Sequence, residues 1–190
     1  MGIWQCRPFA GPVDAQVVVL SGLSGVRPLD DLLNPPYSPG QAALLADAAV
    51  ADTLQALGGL PSFANSTAGH AFRRLSGPSL LLGTRTPQVD SDLLTDSAGR
   101  LDSFDAVLGG TTAGGWWAFG LRDPQLLGQL MPAMRETGAL ALAMLRLGLR
   151  VAMLPTLRAL HNVVDVPVVA AKCRPGSYFA ATVADLEPFG

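Results

Sequence analysis

The residue types best able to do chemistry are a few cations, aromatics and hydroxyls near expected strand ends. Arg85 lies in the run Leu82-Gly83-Thr84-Arg85-Thr86-Pro87-Gln88, which follows an apolar stretch, Ser79 to Leu82, that reads as a strand. Gly and Pro mark a turn there, and a helix is expected from about Asp90. In α/β folds the carboxyl end of such a strand is where ligands and metals sit. A guanidinium at that point could bind a phosphate or carboxylate directly, or it could pair internally with Asp90. His161 could ligate a metal or act as a general base near neutral pH. Alternatively it hydrogen-bonds at a strand–helix junction, with Asn162 capping the next helix. Trp116 and Trp117 are neighbours on an expected strand, so at most one faces a pocket and the other belongs to the core. A pocket-facing indole would suit a flat or sugar-like ligand. Glu136 and Thr137, at an expected helix start, could reach the same pocket or cap the helix.

Other chemistries find no set of residues. With two histidines, no Ser-His-Asp or Cys-His arrangement can be assembled. Cys6 and Cys173 lie near opposite ends with no metal-type spacing and read as ordinary thiols. Gly22-Leu-Ser-Gly25 is too short and too poorly flanked for a phosphate loop. His70, Arg73 and Arg74 share a short amphipathic piece and read as solvated surface.

The bulk properties narrow the classes further. Of 190 residues, 49% are hydrophobic and 15% charged, well below the roughly 25% charged content of average soluble proteins. The net charge of -2 provides no basic footprint for nucleic acid. Lysine occurs once, at Lys172. No apolar stretch approaches the ~18–20 residues of a membrane helix, and no cleavage region follows Val17 to Leu20. Gly2 is followed by Cys6 where a myristoylation motif wants Ser or Thr. The expectation is a cytoplasmic protein with no membrane or nucleic-acid partner.

The elements that would position these residues alternate between strand and helix. Residues 1–15 read as an irregular arm and 16–190 as one domain. Gln16 to Leu20 is a β-branched strand, followed by a long polar loop through Asn34, Pro35 and Pro36. Ser38-Pro39 opens a helix with Leu44, Ala48, Ala51 and Leu54 on one face, ended by Gly58-Gly59. Leu60 to Gly69 reads as irregular, His70 to Leu75 as a short helix. Strands follow at Ser79–Leu82, at Ala106–Leu108 (ended by Gly109-Gly110), at Trp116–Leu121 and at Arg150–Leu154. Helices are expected from about Asp90 to Ala98, from Pro124, from Thr137 with Leu140, Met144 and Leu147 on one stripe, and from Val163 to Lys172. This alternation means a mostly parallel sheet covered on both faces, a three-layer α/β/α sandwich.

A set of short motifs in this order carries a resemblance. They are Pro35-Pro36, Ser38-Pro39, Asp52-Thr53-Leu54, Asp105-Ala-Val-Leu-Gly109, Gly114-Gly-Trp-Trp117, Gly120-Leu-Arg-Asp-Pro124, Thr137-Gly138-Ala, Gly148-Leu-Arg-Val151 and Leu154-Pro-Thr-Leu-Arg158. Over about Gln16 to Ala181 the chain resembles the selenodomain-associated transferase family. These are small GT-A-like proteins of the nucleotide-diphospho-sugar transferase superfamily. The resemblance implies that the first loop holds a nucleotide diphosphate and that strand-end carboxylates hold a divalent metal bridging its phosphates. Trp116 and Trp117 would line the acceptor site, and Arg158 would begin the last motif.

Position by position, this sequence departs from that pattern. The loop from Ser21 to Asn34 offers Arg27 where the family is rich in basic residues, and adds Asp30 and Asp31, which would repel a diphosphate. Arg85 replaces the metal-binding aspartate, and Ala113 replaces an acidic residue before Gly-Gly. Arg158-Ala159-Leu160-His161 stands for Arg-Asp-Val-Asp. Leu60–Gly69 is shorter than the family's segment by a strand-sized piece. The resulting expectation is a diverged glycosyltransferase-like protein with no metal or other cofactor, repurposed to act on or bind a small ligand in the old pocket. Arg85 and His161 are its candidate catalytic residues. Trp116, Trp117, Glu136, Thr137 and Arg158 are its candidate ligand contacts. The competing expectations are a non-catalytic pseudoenzyme that binds a ligand or a protein, and a genuine nucleotide-sugar glycosyltransferase. The apolar composition favours an interface, as in a homodimer.

Overall fold

The computed structural model describes residues 15–20, 27–58, 60, 62–65 and 75–186. The arm before Ala15 (with Cys6), Gly22–Gly25 and His70, Arg73 and Arg74 lie outside the described residues. The core is a six-stranded sheet in the order β2-β1-β3-β5-β4-β6. Its strands are β1 (Gln16–Leu20), β2 (Ser62–Asn65), β3 (Ser79–Gly83), β4 (Ala106–Thr111), β5 (Trp116–Leu121) and β6 (Val151–Leu157). β1 is parallel to β2 and β3, and β4 to β6. β5 is antiparallel to both of its neighbours. The sheet is thus mostly but not purely parallel, as expected of an α/β sandwich.

Strand alternation sorts the core into two layers. On one face Val17, Val19, Leu80, Leu82, Val107 and Leu154 pack under Leu94, Leu101 and the last turn of α2 (Pro39–Ala56). On the other, Val18, Leu81, Leu108, Phe119 and Leu121 meet Leu127, Leu130, Leu140 and Met144. Leu94 comes from α3 (Ser91–Gly99), Leu127 and Leu130 from α4 (Leu127–Leu130), and Leu140 and Met144 from α5 (Thr137–Arg146). A third cluster joins α1 (Leu29–Leu33), the earlier turns of α2, α6 (Asp165–Ala170) and α7 (Tyr178–Asp185) through Leu33, Leu45, Val166 and Phe179.

Several elements depart from the sequence reading. The polar loop holds α1, and the segment read as irregular holds β2, which pairs with β1 and restores an edge strand. β4 does not stop at its glycines but runs through them. The last helix is shorter than expected, and α7 follows it. On α2 the inward residues are Ala42, Leu45, Ala48, Ala49, Asp52, Thr53 and Ala56; of the expected face Ala48 is buried as read, while Leu44 and Leu54 are exposed. An alanine-rich helix offers two apolar stripes, and here the smaller side chains face in, so that α1 and α7 approach closely. Leu147 likewise faces out, unlike Leu140 and Met144. Among the described residues, no helix is long and apolar enough to cross a membrane.

Candidate functional site at the strand ends

The carboxyl ends of β1, β3, β4 and β6 share one edge of the sheet with the start of β5. The chain leaves β1 toward β2 on one side, and β3 pairs on the other, which places a topological switch point there. Ser38 caps α2 with a reciprocal Ser38–Gln41 capping box, and Asp90 caps α3 by accepting from the Leu93 N–H at 2.8 Å. Both helices are thereby pinned at this edge. Asp90 forms no ion pair with Arg85; its carboxylate is the α3 cap.

Two loops meet across the edge. Thr84–Gln88, after β3, binds Arg158–His161, after β6: the Leu160 N–H donates to the Arg85 carbonyl (2.9 Å) and Gln88 Nε2 to the Arg158 carbonyl (2.6 Å). These bonds bring Arg85 and His161 to one place. The half-buried Arg85 guanidinium donates to the Arg27 carbonyl, and among the described residues it meets no carboxylate. Burial lowers its pKa below the usual arginine value. Burial, and then the charge of Arg85, hold the His161 imidazole below its ordinary pKa against the opposing pull of Asp165. The site therefore holds a fixed cation beside an imidazole that favours its neutral form.

Asp165 is the residue that sequence reasoning missed. Burial would raise its pKa, but N–H bonds from His161 (2.9 Å) and Asn162 (3.1 Å), and the Arg158 guanidinium at 2.6 Å, hold it below the usual carboxylate range. It organises the loop that presents His161. The available signal was an acid three and four residues after His161-Asn162, opening an apolar helical run. Asn162 does not cap α6 itself; its side chain accepts from the Val164 N–H at 2.9 Å.

The other candidates are engaged elsewhere. Opposite Gly109 and Gly110 the register shifts so that Trp117 is the extra residue of a bulge in β5, which puts it on the face of Ala118 and leaves Trp116 on the face of Phe119. Trp117 is 1% exposed, and its Nε1 donates to the Pro155 carbonyl at 2.9 Å. Trp116 stacks edge-on against Phe119 at 5.0 Å and donates to the Met134 carbonyl at 2.6 Å. The Thr137 hydroxyl donates to the Gly115 carbonyl, and its N–H to the Gly114 carbonyl at 2.8 Å, anchoring α5 at the edge. Glu136 is exposed, with no side-chain cap bond. Arg158 is committed to Asp165. Arg85 and His161 remain, near enough for the Arg85 charge to act on the imidazole.

The divalent metal implied by the resemblance is not matched by these side chains. Among the described residues, no three His, Cys, Asp or Glu come together to hold a metal ion. At the strand ends, Arg85 brings positive charge where hard anionic oxygen ligands would be needed.

The comparisons place this geometry among known folds. A family model described as "Uncharacterized protein conserved in bacteria (DUF2064)" matches residues 41–134. No curated protein matches the sequence. A solved structure from Desulfovibrio desulfuricans G20, described as a nucleotide-diphospho-sugar transferase, is similar at 16% identity with a TM-score of 0.71, covering 91% of this chain and 95% of that one. The CMP:2-keto-3-deoxy-manno-octonic acid synthetase complexed with CTP is similar at 11% identity and a TM-score of 0.52, covering 90% and 100%. At these identities the likeness is one of architecture: the chain has the mixed α/β fold of nucleotide-diphospho-sugar transferases.

Proposed function

We propose that this chain is a diverged relative of the selenodomain-associated transferases that binds or acts on a small ligand at the strand-end edge, without a divalent metal. The observation that carries the reading is Arg85: a half-buried guanidinium at the switch point, tied to one backbone carbonyl and facing no carboxylate among the described residues. Burying a cation without a counter-ion is costly, and a ligand anion would supply one. His161 is the second contact, positioned by Asp165, and would serve as the base if the protein is a catalyst. Trp116, Trp117, Thr137 and Arg158 support the edge from behind, and exposed Glu136 lies at its rim.

The test is isothermal titration with UDP, GDP and their sugar conjugates, with and without Mg²⁺ or Mn²⁺. Binding without metal, lost on substitution of Arg85, is the expected result. Metal-dependent binding would instead restore ordinary nucleotide-sugar transfer.

One observation favours a second reading, a non-catalytic interaction module, including a homodimer. β6 is an open edge strand, and both it and α5 expose large apolar side chains, Met153 at 57% and Leu145 at 61%. Such surfaces mark interfaces. No binding under either metal condition, together with a dimeric mass in solution, would support it.

A further inference from the structure

Resting on the apolar surface of the second reading, and independent of what the strand-end edge holds, we propose that the outer face of α5 is the seam of a two-fold homodimer. In it α5 packs antiparallel on α5 of a second copy, about an axis beside Leu142. From Thr137 to Leu145 the helix carries no charged residue. Its inner stripe, Leu140 and Met144, is buried against the sheet. Its outer stripe is equally apolar: Leu142 is 48% exposed, Leu145 61%, and Gly138 and Ala139 lie exposed beside them. A surface helix ordinarily turns a polar face to water, whereas one that is apolar all round belongs in an interior. At ten residues, α5 is about half the length that would place it across a membrane.

The face fits a copy of itself. Gly138 and Leu145 stand two helical turns apart on one flank of Leu142, and Ala139 and Arg146 do so on the other. A two-fold axis at Leu142 that reverses the helix direction sets Leu145 against Gly138 of the second copy and lays the Arg146 stem over Ala139. A Cβ at Gly138 would meet nothing within 4 Å, so no packing inside this chain calls for glycine there. The charges at the two ends of the face are complementary as well. Glu136, before the first turn, and Arg146, in the last, are exposed and form no ion pair among the described residues. Antiparallel packing brings Glu136 of each copy within reach of Arg146 of the other, whereas parallel packing would set like against like. α5 lies over β4 and β6. Met153 extends the patch, because Ala152 and Leu154 face the opposite layer. The open edge of β6 is guarded by Pro155, which has no N–H for an added strand.

The experiment is sedimentation velocity of the full chain over a range of concentrations. One helix face with its flanks is smaller than the ~800 Å² per partner of a standard interface, so half-dissociation is expected at about 10 μM. The mass should rise from the 19.7 kDa of one chain to twice that. Leu142→Glu sets two carboxylates against each other at the axis and should give a monomer with an unchanged circular dichroism melt. Glu136→Arg and Arg146→Glu should each weaken the dimer about 3- to 10-fold, and the double swap should recover most of the loss. With Cys6 and Cys173 replaced by serine, Leu142→Cys should form a disulfide-linked dimer on oxidation, whereas Leu54→Cys, exposed on α2, should not. A monomer at every concentration overturns the proposal and, with it, the homodimer of the second reading. A dimer that survives Leu142→Glu but is lost in Met153→Glu overturns the proposal and leaves that reading standing through β6. A double swap no tighter than the single ones overturns the antiparallel arrangement. A monomer that sediments with phosphatidylglycerol vesicles, and no longer does so as Leu142→Glu, assigns the face to a membrane surface and overturns the dimer.

Discussion

Gly109 and Trp117 are complementary: the indole fills the space where a side chain at position 109 would begin. A Cβ there would lie 2.3 Å from Trp117 Nε1 and 2.4 Å from Cε2. The ring cannot easily yield, because it is buried and its N–H is bonded to the Pro155 carbonyl. Gly109→Ala is therefore expected to destabilise the fold by about 1–3 kcal/mol as overpacking. Urea unfolding measures it, and an unchanged midpoint would mean that the indole has room to move.

Asp52 tests the third cluster. Its carboxylate, in a residue 1% exposed, accepts from the Tyr178 and Phe179 N–H groups at 2.8 Å each, and so caps α7 from inside α2. Asp52→Ala leaves both donors without partners in a closed space. A loss of about 1.5–3 kcal/mol is expected in a denaturant titration, and Asp52→Asn, which keeps one acceptor oxygen, should lose less.

Asp165 gives an acid signature. Its folded pKa lies below the usual carboxylate value, so the native state binds fewer protons than the unfolded chain. Its contribution is complete above about pH 4 and disappears as pH falls through the lower folded value. In Asp165→Asn the pH dependence of stability between about pH 5 and 2 should be shallower. The Asp105 carboxylate remains as an internal reference. It too is depressed, because bonds and charge from Arg150 and charge from Arg122 outweigh its burial.

His161 titrates in the same direction for different reasons. Burial first and Arg85 second hold it below its ordinary pKa, so the stability it contributes is present above about pH 6.5 and declines as pH falls through the folded value. Arg85→Met removes the second cause, and the His161 resonance in an NMR titration should move toward the ordinary histidine value. A titration curve that does not respond would separate the two side chains.

Much of the fold was legible in the sequence because local signals agreed with tertiary demands. Val17–Val19, Leu80–Leu82 and the Ser38 and Asp90 caps say strand and helix with no outside help. α7 was missed although Ser177 caps it locally by accepting from the Ala180 N–H; the rest of its start is held by Asp52, 126 positions away. The inward face of α2 was misread because Leu44 and Leu54 outweigh alanine on any hydrophobic scale, whereas packing against α1 and α7 favours small side chains. At the site, Arg85 and His161 stand out by type, but their meeting depends on the Leu160–Arg85 backbone bond between distant loops. The bulge that puts Trp117 on the same face as Ala118 has no sequence marker beyond the glycines opposite it.

The tryptophan pair has a mechanical consequence. Two consecutive residues anchor opposite layers of the molecule, so one peptide link rivets the cores together at the start of β5. Gly83, which ends β3, lies directly alongside: a Cβ there would stand 3.7 Å from the Trp117 carbonyl. Neither layer can loosen without dragging on the other, and the lip that carries Arg85 inherits the stiffness of both.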